Sequence, residues 1–82
     1  MVVIVFKSWE NFERQCRSAL KYYKAYFYYE HIPGRVDLYR FDFEIYSKIF
    51  RFCTSDSRYI AFFVKLVKDK EPDQLRNNKS SA

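Results

Sequence analysis

The stretch "YYKAYFYYEH", Tyr22–His31, largely decides the predicted fold, because half of its residues are tyrosine and it has no glycine, proline or leucine. Aromatic density with few helix-forming residues predicts a β-strand. Alternate side chains of a strand point to opposite faces. One face is predicted to carry Lys24, Tyr26, Tyr28 and Glu30. The other is predicted to carry Ala25, Phe27, Tyr29 and His31. We therefore expect one face in the core and one face free for a ligand.

Two more strands are predicted after this one. "IPGR", residues 32–35, predicts a turn, since proline presets one backbone angle and glycine accepts a positive one. "VDLYRFDF" and "EIYSKIFRFC", residues 36–43 and 44–53, then read as the second and third strands. Their boundary around Asp42–Glu44 carries no strong turn signal, so the register of these two strands stays open.

Helices are predicted on both sides of the strands. The first begins after Ser8, a good N-cap, with Glu10 in its first turn. Helical spacing joins its apolar residues, which are Trp9, Phe12, Cys16, Ala19, Leu20 and Tyr23. The second opens at "TSDSRYIAFFVKLVKD", residues 54–69, and is predicted to end by Pro72.

The order of elements predicts an α+β fold, α-β-β-β-α, with a three-stranded antiparallel sheet and two helices on one face. The single domain is predicted over residues 1–67, and residues 68–82 read as a polar, disordered tail. The apolar lead-in Met1–Phe6 is either an edge strand or a segment that packs on the first helix. The predicted core is Trp9, Phe12, Cys16, Leu20, Phe27, Leu38, Ile49, Ile60, Phe63, Val64 and Val67.

Composition narrows the function classes. The chain has 82 residues, 22% aromatic, and a formal net charge of +5, most of which lies in residues 1–67. A basic domain favours an anionic partner, nucleic acid first and an anionic membrane surface second, although such charge also serves solubility. Cys16 and Cys53 read as small buried hydrophobes in a reducing compartment. No stretch has transmembrane length or a signal-peptide pattern, so a cytoplasmic location is expected.

No catalytic pattern is visible in the sequence. It lacks a G-x-S-x-G motif, a glycine-rich phosphate loop and an H-E-x-x-H motif. His31 is the only histidine and has no partner motif for zinc. We therefore expect no enzymatic activity, no cofactor and no metal site.

Basic and aromatic residues alternate along the predicted strands. Cations can contact phosphates, and rings can stack on unpaired bases. The ordinary alternative is a strand with a buried aromatic face and a solvated cationic face. The candidate RNA-binding residues are Lys24, Tyr26, Tyr28, Arg40, Lys48 and Arg51.

The segment "SWENF", residues 8–12, is the first of several motifs that resemble a known family. Together with the later Tyr29-Glu30-His31, the "IPGR" turn and "FCTSD", residues 52–56, it resembles the nine-kilodalton protein family of the signal recognition particle over roughly residues 7 to 67. The motifs are individually unspecific, and their order and spacing carry the resemblance. The first strand departs from the family, because Lys24 is the only basic residue of its RNA-facing pattern.

The resemblance implies a fold, partners and a role. The fold is α-β-β-β-α, and the partners are the particle's RNA and its fourteen-kilodalton protein, with which it forms a heterodimer through the sheets. The implied role is to bind the Alu region of that RNA and support elongation arrest during targeting to the endoplasmic reticulum, with the ribosome engaged indirectly. The alternative is a small protein-protein interaction module that pairs through an exposed sheet edge without binding RNA.

Overall fold

The computed structural model describes residues 1–22 and 24–81, and the side chains of residues 73–81 lie outside that description. Six elements follow one another along the chain. They are β1 (Val2–Val5), α1 (Trp9–Ala19), β2 (Tyr26–His31), β3 (Tyr39–Ile45), β4 (Lys48–Thr54) and α2 (Ser57–Ser81). The α+β class is confirmed, and Tyr23, predicted on the apolar face of the first helix, lies outside the described residues.

The sheet has four strands in the order β1-β4-β3-β2, and it is mixed. β2, β3 and β4 form the antiparallel meander that the sequence predicts, but β1 pairs with β4 in parallel. The prediction of a three-stranded antiparallel sheet is therefore wrong. The lead-in is an edge strand, and Phe6, just beyond it, also packs against Phe12 of α1.

Both helices cover the same face of the sheet. Phe12 of α1 and Phe63 of α2 each contact Phe41 of β3, at ring-centroid distances of 6.4 and 4.5 Å. The cluster between the layers is mainly phenylalanine, and its buried members are Phe12, Cys16, Ala19, Ala25, Phe27, Phe41, Phe43, Phe52, Phe63 and Leu66. Bulky rings fill a core that a chain of this length could otherwise make only thin.

The predicted core is partly right. Phe12, Cys16, Phe27 and Phe63 are buried in the cluster, while Trp9, Ile60 and Val67 pack partly buried against it. The prediction that Leu20 belongs to the core is wrong, because Leu20 caps α1 at its C-terminal end and is 37% exposed. Ile49 is buried but lies on the opposite side of the sheet, as its register partner Glu44 does.

The helix starts follow the sequence, whereas the end of α2 does not. Ser8 caps α1 by accepting a hydrogen bond from the Asn11 backbone N–H. α2 continues through Pro72, so the prediction that it ends there is wrong. The backbone of residues 68–81 is helical where the sequence predicts a disordered tail.

The turn between β3 and β4 lies later than predicted. Asp42 and Glu44 are in the middle of β3, and the chain reverses at Tyr46 and Ser47. Both turn residues have positive φ, at 51° and 64°. Two-residue hairpin turns of this kind favour Asn-Gly, because glycine and asparagine accept a positive φ more readily than other residues do. A turn built from Tyr-Ser is therefore hard to locate by sequence.

Candidate nucleic-acid interface

The face of the sheet opposite the helices, here called the open face, is fixed by the strand register. Its residues are Val3 and Val5 of β1, Tyr26, Tyr28 and Glu30 of β2, Arg40, Asp42 and Glu44 of β3, and Ile49, Arg51 and Cys53 of β4. Cys53 is exposed, so the prediction that both cysteines are buried is wrong for this one. Cys16 is buried, and this burial raises the pKa of its thiol.

Four of the six predicted RNA-binding residues share the open face. They are Tyr26, Tyr28, Arg40 and Arg51. Lys48 is not among them, because it lies three positions from Arg51 in β4 and so points to the helix-covered side. Lys24 precedes β2 and lines a pocket at the end of the sheet. The structure therefore does not gather the six residues on one surface.

Asp42 occupies the centre of the open face and is completely buried. Arg51, directly opposite on β4, donates two hydrogen bonds to it, from Nε to Oδ1 at 2.9 Å and from Nη2 to Oδ2 at 3.0 Å. This two-pronged contact raises the pKa of Arg51, with the hydrogen bonds as the main cause. A buried carboxylate is tolerated here because a guanidinium lies over it.

Arg40 links two carboxylates on the same face. Its Nη2 donates to Glu30 at 2.8 Å, and its Nε lies 3.3 Å from Oδ2 of Asp42. That Nε is buried and makes no hydrogen bond of acceptable geometry, so its contact with Asp42 is an ion pair only. The result is a continuous charge network, here called the Asp42 network, of Glu30, Arg40, Asp42 and Arg51.

The two tyrosines of the open face differ in their freedom. The rings of Tyr26 and Tyr28 lie 5.4 Å apart, and Tyr26 is 40% exposed. The hydroxyl of Tyr28 donates to Oε1 of Glu44 at 3.1 Å. Burial, with the nearby Asp42 charge and the Glu44 bond, raises the pKa of Tyr28 to about 12. Tyr28 is thus a neutral donor held by the protein, and Tyr26 is the ring more available to a ligand.

The open face carries more acidic than basic side chains. Its two arginines are paired with acidic residues, and the face carries three carboxylates in all. Lys24 and Lys48, which make no ion pair within the described part of the chain, lie at one end of the sheet outside this face. The open face can therefore stack aromatic groups and donate from guanidinium groups, but its centre attracts phosphate less than the sequence suggests.

β1, which the sequence offered as a possible edge strand, presents an exposed apolar surface. Val2, Val3, Ile4 and Val5 are 56%, 44%, 36% and 62% exposed. The backbone N–H groups of Val2 and Phe6 donate to the carbonyl oxygens of Ser47, just before β4, and of Arg51 in β4, so the odd-numbered residues between Val2 and Phe6 direct their N–H groups outward. β1 itself carries no charged side chain to protect this edge, which makes it a template for another strand.

Among the described residues, no group of three or more His, Cys, Asp or Glu side chains could hold a metal ion. No helix in the same part of the chain is long and apolar enough to cross a membrane.

The comparisons with known proteins found no relative of this chain. No family model, no curated protein and no solved structure matches the chain.

Proposed function

We propose that the protein is a non-catalytic RNA-binding subunit similar to the nine-kilodalton protein of the signal recognition particle. In this proposal it pairs with the fourteen-kilodalton protein, binds the Alu region of the particle's RNA and supports elongation arrest in the cytoplasm. From α1 to α2 the order of elements is the one that the resemblance implies, and β1 is an addition to it. The proposal rests on the resemblance and on the open face.

The observation that carries the proposal is the open face itself. It presents the exposed Tyr26 ring next to Tyr28, and two half-buried arginines, Arg40 and Arg51, lie on the same face, which is opposite the one that both helices cover. Open sheet faces with exposed rings suit unpaired bases, since every base has a face that can stack. The excess of positive charge over the whole chain, +5, supports attraction of an anionic polymer.

The Asp42 network changes what this binding should look like. Arg40 and Arg51 already share the charge of Asp42, so a phosphate must compete with a carboxylate for either of them. Each phosphate contact contributes about one unit to the salt slope of binding. We therefore expect stacking to carry more of the RNA affinity, and the salt dependence to be shallower than a face of unpaired lysines would give.

Tyr26→Ala is expected to weaken RNA binding about tenfold, because stacking on an aromatic side chain is worth on the order of 1–3 kcal/mol per base. The measurement is filter binding of the heterodimer with the fourteen-kilodalton protein to Alu-region RNA over a salt series. Tyr29→Ala is the matched control. It removes a tyrosine of similar exposure, 37% against 40%, from the helix-covered side of the same strand.

Equal losses in the two variants would contradict the assignment of the open face. If the assembled heterodimer binds no RNA at any salt concentration, RNA binding itself is excluded, and the second candidate below becomes the better explanation.

The β1 edge favours that second candidate, a protein-protein interaction module that works by strand addition. Its four exposed apolar residues and its outward backbone groups match the way an extended segment adds to a sheet. A partner strand at this edge would also remove an aggregation-prone surface.

Val3→Pro is expected to abolish pairing at β1 while leaving the fold intact. The Val3 N–H faces outward, so proline removes a donor that only a partner uses. Ile4→Pro is the contrasting variant, because it removes a donor directed at β4 and should lower the thermal midpoint. Size-exclusion chromatography with light scattering, with and without the fourteen-kilodalton protein, measures assembly. Unchanged assembly by the folded Val3→Pro variant would rule out β1 as the docking edge.

A further inference from the structure

A pocket of about 350 Å³ lies at one end of the sheet, separate from the open face. It lies between the segment that joins α1 to β2 and the β3–β4 turn. Its lining residues are Tyr22, Lys24, Ala25, Ile45 and Tyr46. The volume is at the small end of the range for ligand pockets, and the mixture of apolar walls with a single charged group is typical of them.

Two exposed tyrosine rings form the wall of this pocket. The rings of Tyr22 and Tyr46 approach edge to face, with centroids 6.2 Å apart and planes at 74°. Tyr22 is 48% exposed and Tyr46 is 79% exposed. The buried Ala25 and the half-buried Ile45 lie behind them. The pocket therefore offers aromatic surface to a flat ligand without requiring the core to open.

The position of Tyr46 is strained. Its φ of 51° and the φ of 64° at Ser47 lie in the left-handed region, which disfavours non-glycine side chains. Glycine at either position would relieve this strain, yet the chain has a large ring at one of them. The two-residue hairpin turn requires these angles, and they fix the place of the Tyr46 ring at the end of the sheet.

Lys24 gives the pocket a positive charge. It is exposed and makes no ion pair or hydrogen bond with the part of the chain that the structure describes. Extending the β2–β3 register, in which Tyr26 faces Glu44, places Lys24 across from Tyr46. Glu44, the acidic side chain near this end, already accepts a hydrogen bond from Tyr28.

We propose that this pocket binds one unpaired nucleotide, with the base against the rings of Tyr22 and Tyr46 and the phosphate at Lys24. The inference deepens the proposed RNA-binding function and rests on it. It assigns Lys24 a phosphate contact in the pocket rather than on the open face. A neutral apolar ligand would use the rings but not the cation, whereas a nucleotide uses both.

The test is a titration of the ¹⁵N-labelled full chain, followed by NMR, with adenosine monophosphate, adenosine and inorganic phosphate as separate probes. Adenosine monophosphate is expected to shift the amide signals of Tyr22, Lys24 and Tyr46 in a saturable manner. Adenosine should shift the same signals at higher concentration. Phosphate alone should bind most weakly, because it meets only one cation.

Three variants separate the contributions. Tyr46→Gly removes the ring and relieves the positive φ, so it should weaken adenosine monophosphate binding about tenfold without lowering the thermal midpoint. Lys24→Gln should weaken the nucleotide several-fold and leave adenosine unchanged. Lys7→Gln is the matched control, since it removes an exposed cation just beyond β1, at the opposite end of the sheet, and should change neither.

The outcomes distinguish the pocket from the open face. Nucleotide binding that Tyr46→Gly and Lys24→Gln both leave unchanged would overturn the pocket, as would the lack of saturable shifts at its residues. If the pocket binds the nucleotide but the heterodimer does not bind RNA, the proposed function fails and the nucleotide site stands. If RNA binding depends on Tyr26 but the pocket residues do not respond to the nucleotide, the pocket proposal fails and the proposed function stands.

Discussion

Phe63→Ala is expected to lower the free energy of unfolding by about 3–5 kcal/mol, the usual cost of emptying a buried phenylalanine site. Phe63 is fully buried and stacks on Phe41 at 4.5 Å with nearly parallel rings. It also contacts Phe12 of α1 and Phe27 of β2, so its ring joins both helices to the sheet. The surrounding rings are rigid and can fill the cavity only in part.

Such a loss is large for a domain of this size, since total stability is commonly about 5–15 kcal/mol. Urea unfolding followed by the fluorescence of Trp9, the chain's one tryptophan, measures it. Val36→Ala is the control, because Val36 is 93% exposed and its loss should change stability by less than about 0.5 kcal/mol. A Phe63→Ala variant as stable as this control would contradict the place of Phe63 in the core.

Asp42→Ala is expected to cost about 3–5 kcal/mol of folding stability, the range found when one partner of a buried ion pair is removed. The carboxylate is fully buried, and without it Arg51 loses both of its hydrogen bonds while Arg40 loses an ion pair. Both arginines keep some exposure, at 30% and 28%, so water can partly solvate them. The loss should therefore fall toward the lower end of that range.

Asp69→Ala is the matched control for Asp42→Ala. Asp69 also pairs with a cation, Lys65 at 3.2 Å, but both side chains of that pair are largely exposed. Exposed pairs contribute little to stability and weaken further in salt. Urea unfolding at low and high salt separates the two variants. Equal, small losses of stability in both variants would show that burial does not increase the contribution of the Asp42 network to folding.

The starts of the helices and the faces of β2 could be predicted because they depend on local pattern. The apolar spacing in α1 and the alternation between Phe27 and its neighbours need only the sequence within one element. The opposite faces of Lys48 and Arg51 follow from the same rule once a single strand includes both. The predicted third strand, residues 44–53, already contained both residues, so placing them on one surface was an error of alternation, and Lys24 lies before β2 begins.

The remaining features depend on contacts between distant residues. Burial of Asp42 depends on the two hydrogen bonds from Arg51, which only the β3–β4 register brings opposite it, so the sequence around Asp42 gives no signal of it. The turn at Tyr46 and Ser47 lacks glycine, which removes the usual marker. The pairing of β1 with β4 joins segments at opposite ends of the sheet-forming region, and no periodicity reports such a partner.

That parallel pairing has a consequence for the order of folding. β2, β3 and β4 are joined by short turns, so their contacts close small loops and can form early. β1 finds its partner only when Val2 meets Lys48, which closes a loop containing α1 and two other strands. β1 is synthesised seconds before β4, since the chain grows at roughly 5–20 residues per second. β1, whose apolar edge is exposed in the folded protein, is thus also the strand that stays unpaired longest in the nascent chain.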